Sequence, residues 1–97
     1  MVIPFDLEIT KVLSSVTVSP TGEDMILDLH KVPAGSGVST TMFTTQANRP
    51  TIAIGDYNDE SVAPDVVLLE EGDTLEIYVD QNGTTSNLSI TIPCQRV

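Results

Sequence analysis

Glu70-Glu71-Gly72-Asp73-Thr74-Leu75-Glu76-Ile77-Tyr78-Val79-Asp80-Gln81-Asn82-Gly83 is the stretch from which the fold is read. An acidic turn with one glycine leads into a strict alternation. Leu75, Ile77 and Val79 fall on one face of an extended chain, and Thr74, Glu76, Tyr78 and Asp80 on the other. Such a strand is half buried and predicts an antiparallel sheet with one wet face. Asn82-Gly83 suits a type I′ turn, whose two central residues both need positive φ. Alternation resumes at Leu88, Ile90 and Ile92, so the two runs predict a hairpin.

Working outward, Phe5, Leu7 and Ile9 alternate with Asp6, Glu8 and Thr10 in a first strand. The apolar parity then slips to Val12, Val16 and Val18, which calls for a bulge or sharp bend between Lys11 and Ser15. Pro20-Thr21-Gly22 marks a turn. Met25 to His30 reads as a strand with Met25, Leu27 and Leu29 inward and Asp28 and His30 outward. Residues 33–39 form a flexible loop, after which Thr40 to Thr45 pairs back. Ile52 and Ile54 alternate in another strand, residues 55–64 read as an acidic loop, and Asp65 to Glu70 as a strand. About eight short strands with turn signals every eight to twelve residues predict a single all-β domain over residues 1–97, an antiparallel β-sandwich or jelly roll.

Composition agrees. Val, Ile and Thr total 31 residues against four Ala, a balance that favours pleated surfaces over helices. Four Lys and Arg face fourteen Asp and Glu, giving a net charge of −10. That charge repels phosphate backbones and anionic membrane surfaces, so neither nucleic acid nor membrane is an expected partner. It complements a basic protein surface instead. No signal peptide and no apolar run long enough to span a bilayer can be read. The single cysteine, Cys94, permits no intrachain disulfide and reads as a small buried hydrophobe.

Chemistry-bearing clusters are sparse. Asp56, Asn58, Asp59 and Glu60 offer oxygen ligands of the kind hard cations take, but glycine precedes the cluster and the full calcium-loop pattern is missing. They read first as a solvated acidic loop, and the sequence calls for no metal or cofactor. His30 is the one histidine; its neighbours Asp28 and Lys31 have no serine or cysteine nucleophile motif beside them, so it reads as a solvent-facing strand residue. Carboxylate pairs are plentiful, yet a chain this small has little room for a glycosidase cleft. Tyr57 and Tyr78 are the best aromatic candidates for a sugar-binding face, with ordinary half-exposed tyrosines the blander alternative. No enzymatic activity is expected. Asn82-Gly83-Thr84 and Asn87-Leu88-Ser89 match the glycosylation acceptor pattern, but turn chemistry accounts for Asn82-Gly83 as well.

Taken segment by segment, the chain resembles a small β-sandwich module of tailed-bacteriophage virion proteins. The residues that carry the likeness are Ile3-Pro4-Phe5-Asp6 with Ile9-Thr10-Lys11-Val12, then Pro20-Thr21-Gly22 leading into Ile26-Leu27-Asp28-Leu29-His30-Lys31. It continues in the run from Phe43 to Ile52, which contains Arg49-Pro50-Thr51-Ile52, and in the run from Gly72 to Gln81. The resemblance implies a structural role on the virion, made in the host cytoplasm, and carries over no catalytic residue. Such modules occur in tail-fibre and receptor-binding proteins, and related small sandwiches serve as capsid decoration (cement) proteins. A module that begins at Met1 and ends at Val97 without a shaft suits decoration, with the major capsid protein as partner. A tail-fibre or receptor-binding module is the alternative.

Within that expectation the chain self-associates into a closed ring, a trimer favoured, because cyclic symmetry is how small domains gain interface area. Thr40, Thr41, Thr44, Tyr57 and Tyr78 are the candidate partner-binding residues. The weakly charged segments from Thr40 to Gln46 and from Lys11 to Ser15 are the expected contact edges.

Overall fold

The computed structural model describes residues 1–97 and is all-β apart from one 3-10 turn at Gln46–Asn48. Ten short strands follow in order: β1 Leu7–Ile9, β2 Lys11–Ser15, β3 Met25–Val32, β4 Thr40–Thr41, β5 Thr51–Ile52, β6 Asn58–Val62, β7 Leu68–Leu69, β8 Thr74–Gln81, β9 Ser89–Thr91 and β10 Cys94–Arg96. They form three antiparallel sheets: β10-β1-β7, β6-β2-β9, and a third in which β3 pairs with β8 on one side and with β4 and β5 on the other. The arrangement is that of a small β-sandwich.

The parity slip after Ile9 has a simple cause. Thr10 separates β1 from β2, and the two belong to different sheets, so the chain bends and changes layer. Ile9 and Val12 are nonetheless both fully buried, because both layers face one core. That core gathers Ile3, Ile9, Val12, Leu29, Met42, Phe43, Leu69 and Leu75. A smaller cluster of Val16, Met25, Leu27 and Ile52 lies beside it, and Ile90 packs against both. Phe43 is completely enclosed; burying one such side chain is worth roughly 1.5–3 kcal/mol.

The expected hairpin between residues 74–80 and 88–92 does not form. β9 pairs with β2 (Leu13 opposite Thr91), while β8 pairs with β3 from Val32 opposite Thr74 to Ile26 opposite Gln81. The linker explains why. Positive φ falls at Gly83 and Thr84 rather than at Asn82 and Gly83, so there is no two-residue type I′ turn. Gly83 serves a close approach instead: a Cβ there would lie 2.5 Å from the Glu23 carbonyl oxygen and 3.0 Å from Pro20 Cβ.

Four further expectations change. Residues 58–62, read as loop, form β6 and pair with β2, so β2 is the centre of its sheet and not a free contact edge. Thr40 to Thr45 shrinks to a two-residue strand, because Met42 and Phe43 turn into the core. Asp28 is buried rather than outward, 3% exposed. Cys94 is exposed at the edge strand β10, and partial shielding of its sulfur pushes the thiol pKa up.

Candidate binding face on the β8 strand

β8 is the one long strand with a sheet neighbour on one side only along most of its length. Its start is covered: Leu75 N–H donates to the Met1 carbonyl at 2.8 Å, the terminal ammonium of Met1 donates to the Leu75 carbonyl at 2.9 Å, and Ile3 N–H donates to the Asp73 carbonyl at 2.8 Å. Residues 1–3 thus cap the outer edge as far as Leu75. Backbone groups alternate sides along an antiparallel strand, so Ile77 and Val79 also direct N–H and C=O outward, and no protein group meets them. The inner pairing agrees: Leu27 and Leu29, opposite Val79 and Ile77, spend their own groups on Pro50 and Met42. A bulge then ends the run, since Leu27 faces Val79 and Ile26 faces Gln81, leaving Asp80 as the extra residue.

The apolar face of β8 is buried only at its start. Leu75 is 5% exposed, but Ile77 is 44% and Val79 50% exposed. Met1, Leu75, Ile77, Ile90 and Ile92 line an open groove of about 430 Å³. The predicted half-buried strand therefore presents uncovered apolar side chains beside an uncovered edge, a combination that marks interaction surfaces.

The opposite face is a polar network. The rings of His30 and Tyr78 stack with centroids 4.1 Å apart and planes 5° from parallel. His30 Nδ1 lies 3.0 Å from Ser39 Oγ and Nε2 3.3 Å from Asp28 Oδ2. Ser39 Oγ donates to Glu76 Oε1 at 2.7 Å, and the Tyr78 hydroxyl donates to the same oxygen at 3.3 Å. The buried Asp28 carboxylate also accepts the Thr41 hydroxyl at 2.7 and 2.9 Å and the Gln46 amide at 3.4 Å. Arg49 Nη1 pairs with Asp80 Oδ2 at 2.7 Å.

Asp28, His30 and Ser39 share the residue types of a hydrolytic triad, but the Ser39 hydroxyl donates to the Glu76 carboxylate at 2.7 Å, so its proton points at Glu76 rather than at His30 Nδ1. The network braces β3, the loop before β4 and β8 against one another. Sequence reasoning missed Ser39 and Glu76; Glu76 was legible as a polar-face residue of β8, whereas Ser39 lies in a loop with no pattern to mark it.

The sequence-predicted residues divide as follows. Tyr78 lies on this face, 39% exposed, with one ring face covered by His30. Thr41 is in the same network, its hydroxyl committed to Asp28, so it is an internal brace and not a free contact. Thr40 is exposed opposite Lys31, and Thr44 is exposed near Asp65. Tyr57, 56% exposed, precedes β6 in another sheet and is not joined with Tyr78 in one platform.

Asn58, Asp59 and Glu60 are consecutive in β6, so their side chains alternate between faces, and no group of three or more His, Cys, Asp or Glu side chains converges. Glu60 is bridged to Lys11 at 2.9 Å. Burial, aided by Glu60, raises the Asp59 pKa against the opposing hydrogen bond from Thr51. Asp73, just before β8, is different: burial works to raise its pKa, but N–H donors from Glu70 and Ala34 and the Lys31 ammonium outweigh that and hold it low.

Fold and site together define a small all-β domain with an uncovered strand edge. No protein-family model, curated protein or solved structure matches the chain. No helix is long and apolar enough to cross a membrane.

Proposed function

We propose that this protein is a structural protein of a tailed-bacteriophage virion, a capsid decoration protein that binds the major capsid protein lattice through non-covalent contacts and performs no chemistry. The observation that carries the binding role is the exposure of Ile77 and Val79 on the long strand β8. An isolated domain gains nothing from leaving that face wet, whereas a docked one buries it. The phage assignment rests on the resemblance carried by the runs around Pro20-Thr21-Gly22, Arg49-Pro50-Thr51-Ile52 and Gly72-Asp73. The net charge of −10 favours a basic partner surface. Self-association into a closed ring would multiply weak contacts on a lattice.

The test is the copy number of this chain in purified particles, by quantitative mass spectrometry. A stoichiometry comparable with that of the capsid subunits supports decoration. A handful of copies moves the protein to the tail and to receptor binding, where Tyr57→Ala would reduce adsorption to host cells. Absence from the particle overturns the virion reading.

A further inference from the structure

We infer that the outer edge of β8 at Ile77–Val79 is a strand-addition site whose occupant is an extended segment alternating basic and apolar residues, supplied by a protein other than this one. The inference builds on the binding-module reading and specifies its docking chemistry. Three observations converge. The outward N–H and C=O groups of Ile77 and Val79 have no partner in the fold, while the chain's own Met1–Ile3 segment already occupies the same edge one step earlier by antiparallel pairing. The edge is therefore competent for strand pairing, and the bulge at Asp80 sets its far limit.

The two faces of β8 also specify what an added strand must carry. On one side it would lie beside Ile77, Val79 and the groove formed with Met1, Ile90 and Ile92. On the other it would lie beside Glu76, which accepts the Ser39 and Tyr78 hydroxyls but forms no ion pair, and Asp80, which is paired with Arg49. Cross-strand neighbours on a sheet interact directly, so apolar residues suit the first side and lysine or arginine the second.

A second copy of this chain fits poorly. Antiparallel pairing of β8 with its own copy, with Ile77 and Val79 exchanging hydrogen bonds, sets Glu76 of each chain opposite Asp80 of the other. Like charges directly opposite are destabilising, and each copy brings a charge of −10.

The experiment is a titration of the full chain, isotopically labelled, with a short end-blocked peptide alternating lysine and valine. A peptide with glutamate in place of lysine is the control. Expected are shifts and slowed hydrogen exchange at the amides of Ile77 and Val79, and binding at least roughly tenfold weaker to the glutamate peptide. Val79→Pro removes an outward-facing N–H and spares the β3 pairing. It is expected to weaken lysine-peptide binding roughly tenfold, the equivalent of one to two hydrogen bonds. Ile77→Lys, which keeps every backbone group, tests the face chemistry if the proline variant fails to fold, and should also weaken binding.

Perturbation of other residues but not these, equal binding of the two peptides, or a dimer in sedimentation that Ile77→Lys dissolves would each overturn the inference. The titration uses purified chain and is independent of particle stoichiometry. A chain abundant in the capsid but inert to the peptide would leave decoration standing and remove strand addition.

Discussion

Replacing Asp73 by Asn removes a charge while keeping shape, and the structure sets the size of the effect. The carboxylate is 4% exposed; Oδ1 accepts Ala34 N–H at 3.0 Å, Oδ2 accepts Glu70 N–H at 2.9 Å, and Lys31 Nζ stands 3.6 Å from Oδ2. One side chain thus ties the loop after β3, the turn before β8 and a β3 lysine together. An amide can accept only one of the two N–H groups, leaving the other facing an NH2 and Lys31 without its counter-charge. An orphaned donor costs about 1–3 kcal/mol, and lost charge assistance adds to it, so a loss of about 2–4 kcal/mol is expected. For a domain of this size that lowers Tm by roughly 10–25 °C.

The pH dependence carries the sharper test. The Asp73 pKa is lower in the folded chain than its unfolded value of about 3.9. Its contribution is then full above the unfolded value and lost as pH falls through the folded one. The difference between wild type and Asp73→Asn, followed by circular dichroism in urea, should be full near neutrality and shrink at pH values below about 4. A loss under about 1 kcal/mol near neutrality, or a gap that stays constant into strong acid, would refute the reasoning.

Other substitutions probe other parts of the fold. Gly83→Ala adds a Cβ against the Glu23 carbonyl at a φ of +64° and should cost more than about 2 kcal/mol by denaturant titration. Thr41→Val withdraws the donor that holds buried Asp28, and thermal melting should show a loss of about 1–3 kcal/mol. Asp59 works in the opposite sense to Asp73: its pKa is raised in the fold, so its charged form disfavours folding once pH exceeds that value, and Asp59→Asn should be neutral or stabilising near neutrality. Millimolar calcium followed by chelator should leave Tm unchanged, because Asn58, Asp59 and Glu60 alternate along β6; a calcium-dependent rise would show a cation site there.

The period-2 signal at residues 74–80 and 25–30 gave both long strands, since alternation is a local property of the chain. Partner choice is not local. Nothing in Leu88–Ile92 distinguishes pairing with β8 from pairing with β2, and the bend at Gly83–Thr84 decided it. β6 escaped because Asn58-Asp59-Glu60-Ser61 has no apolar alternation; it is a strand only by virtue of β2 beside it. Asp28 looked outward by parity, and it does lie on the polar side of β3, but Thr41 and Gln46 cover that side. The same limit governs the candidate site: Tyr78 and Glu76 were visible as a polar face, while the free edge beside them became visible only once the strand order was known.

The cap that Met1–Ile3 places on β8 joins residues 74 positions apart, and most of the sheet is built from similarly distant partners. β1 awaits β7 and β10, β2 awaits β6 and β9, and β3 awaits β8; only β4 and β5 reach β3 early. During synthesis the three sheets are completed only when β8, β9 and β10 emerge. Its folding is dominated by distant pairings, the kind that form on a millisecond-to-second scale, and β3 lacks β8 and β2 lacks β9 until those strands are made. The acidic character of the chain, usually read as an aid to the finished protein, acts before the fold exists. A net charge of −10 opposes contact between unfolded copies while those strands still lack partners.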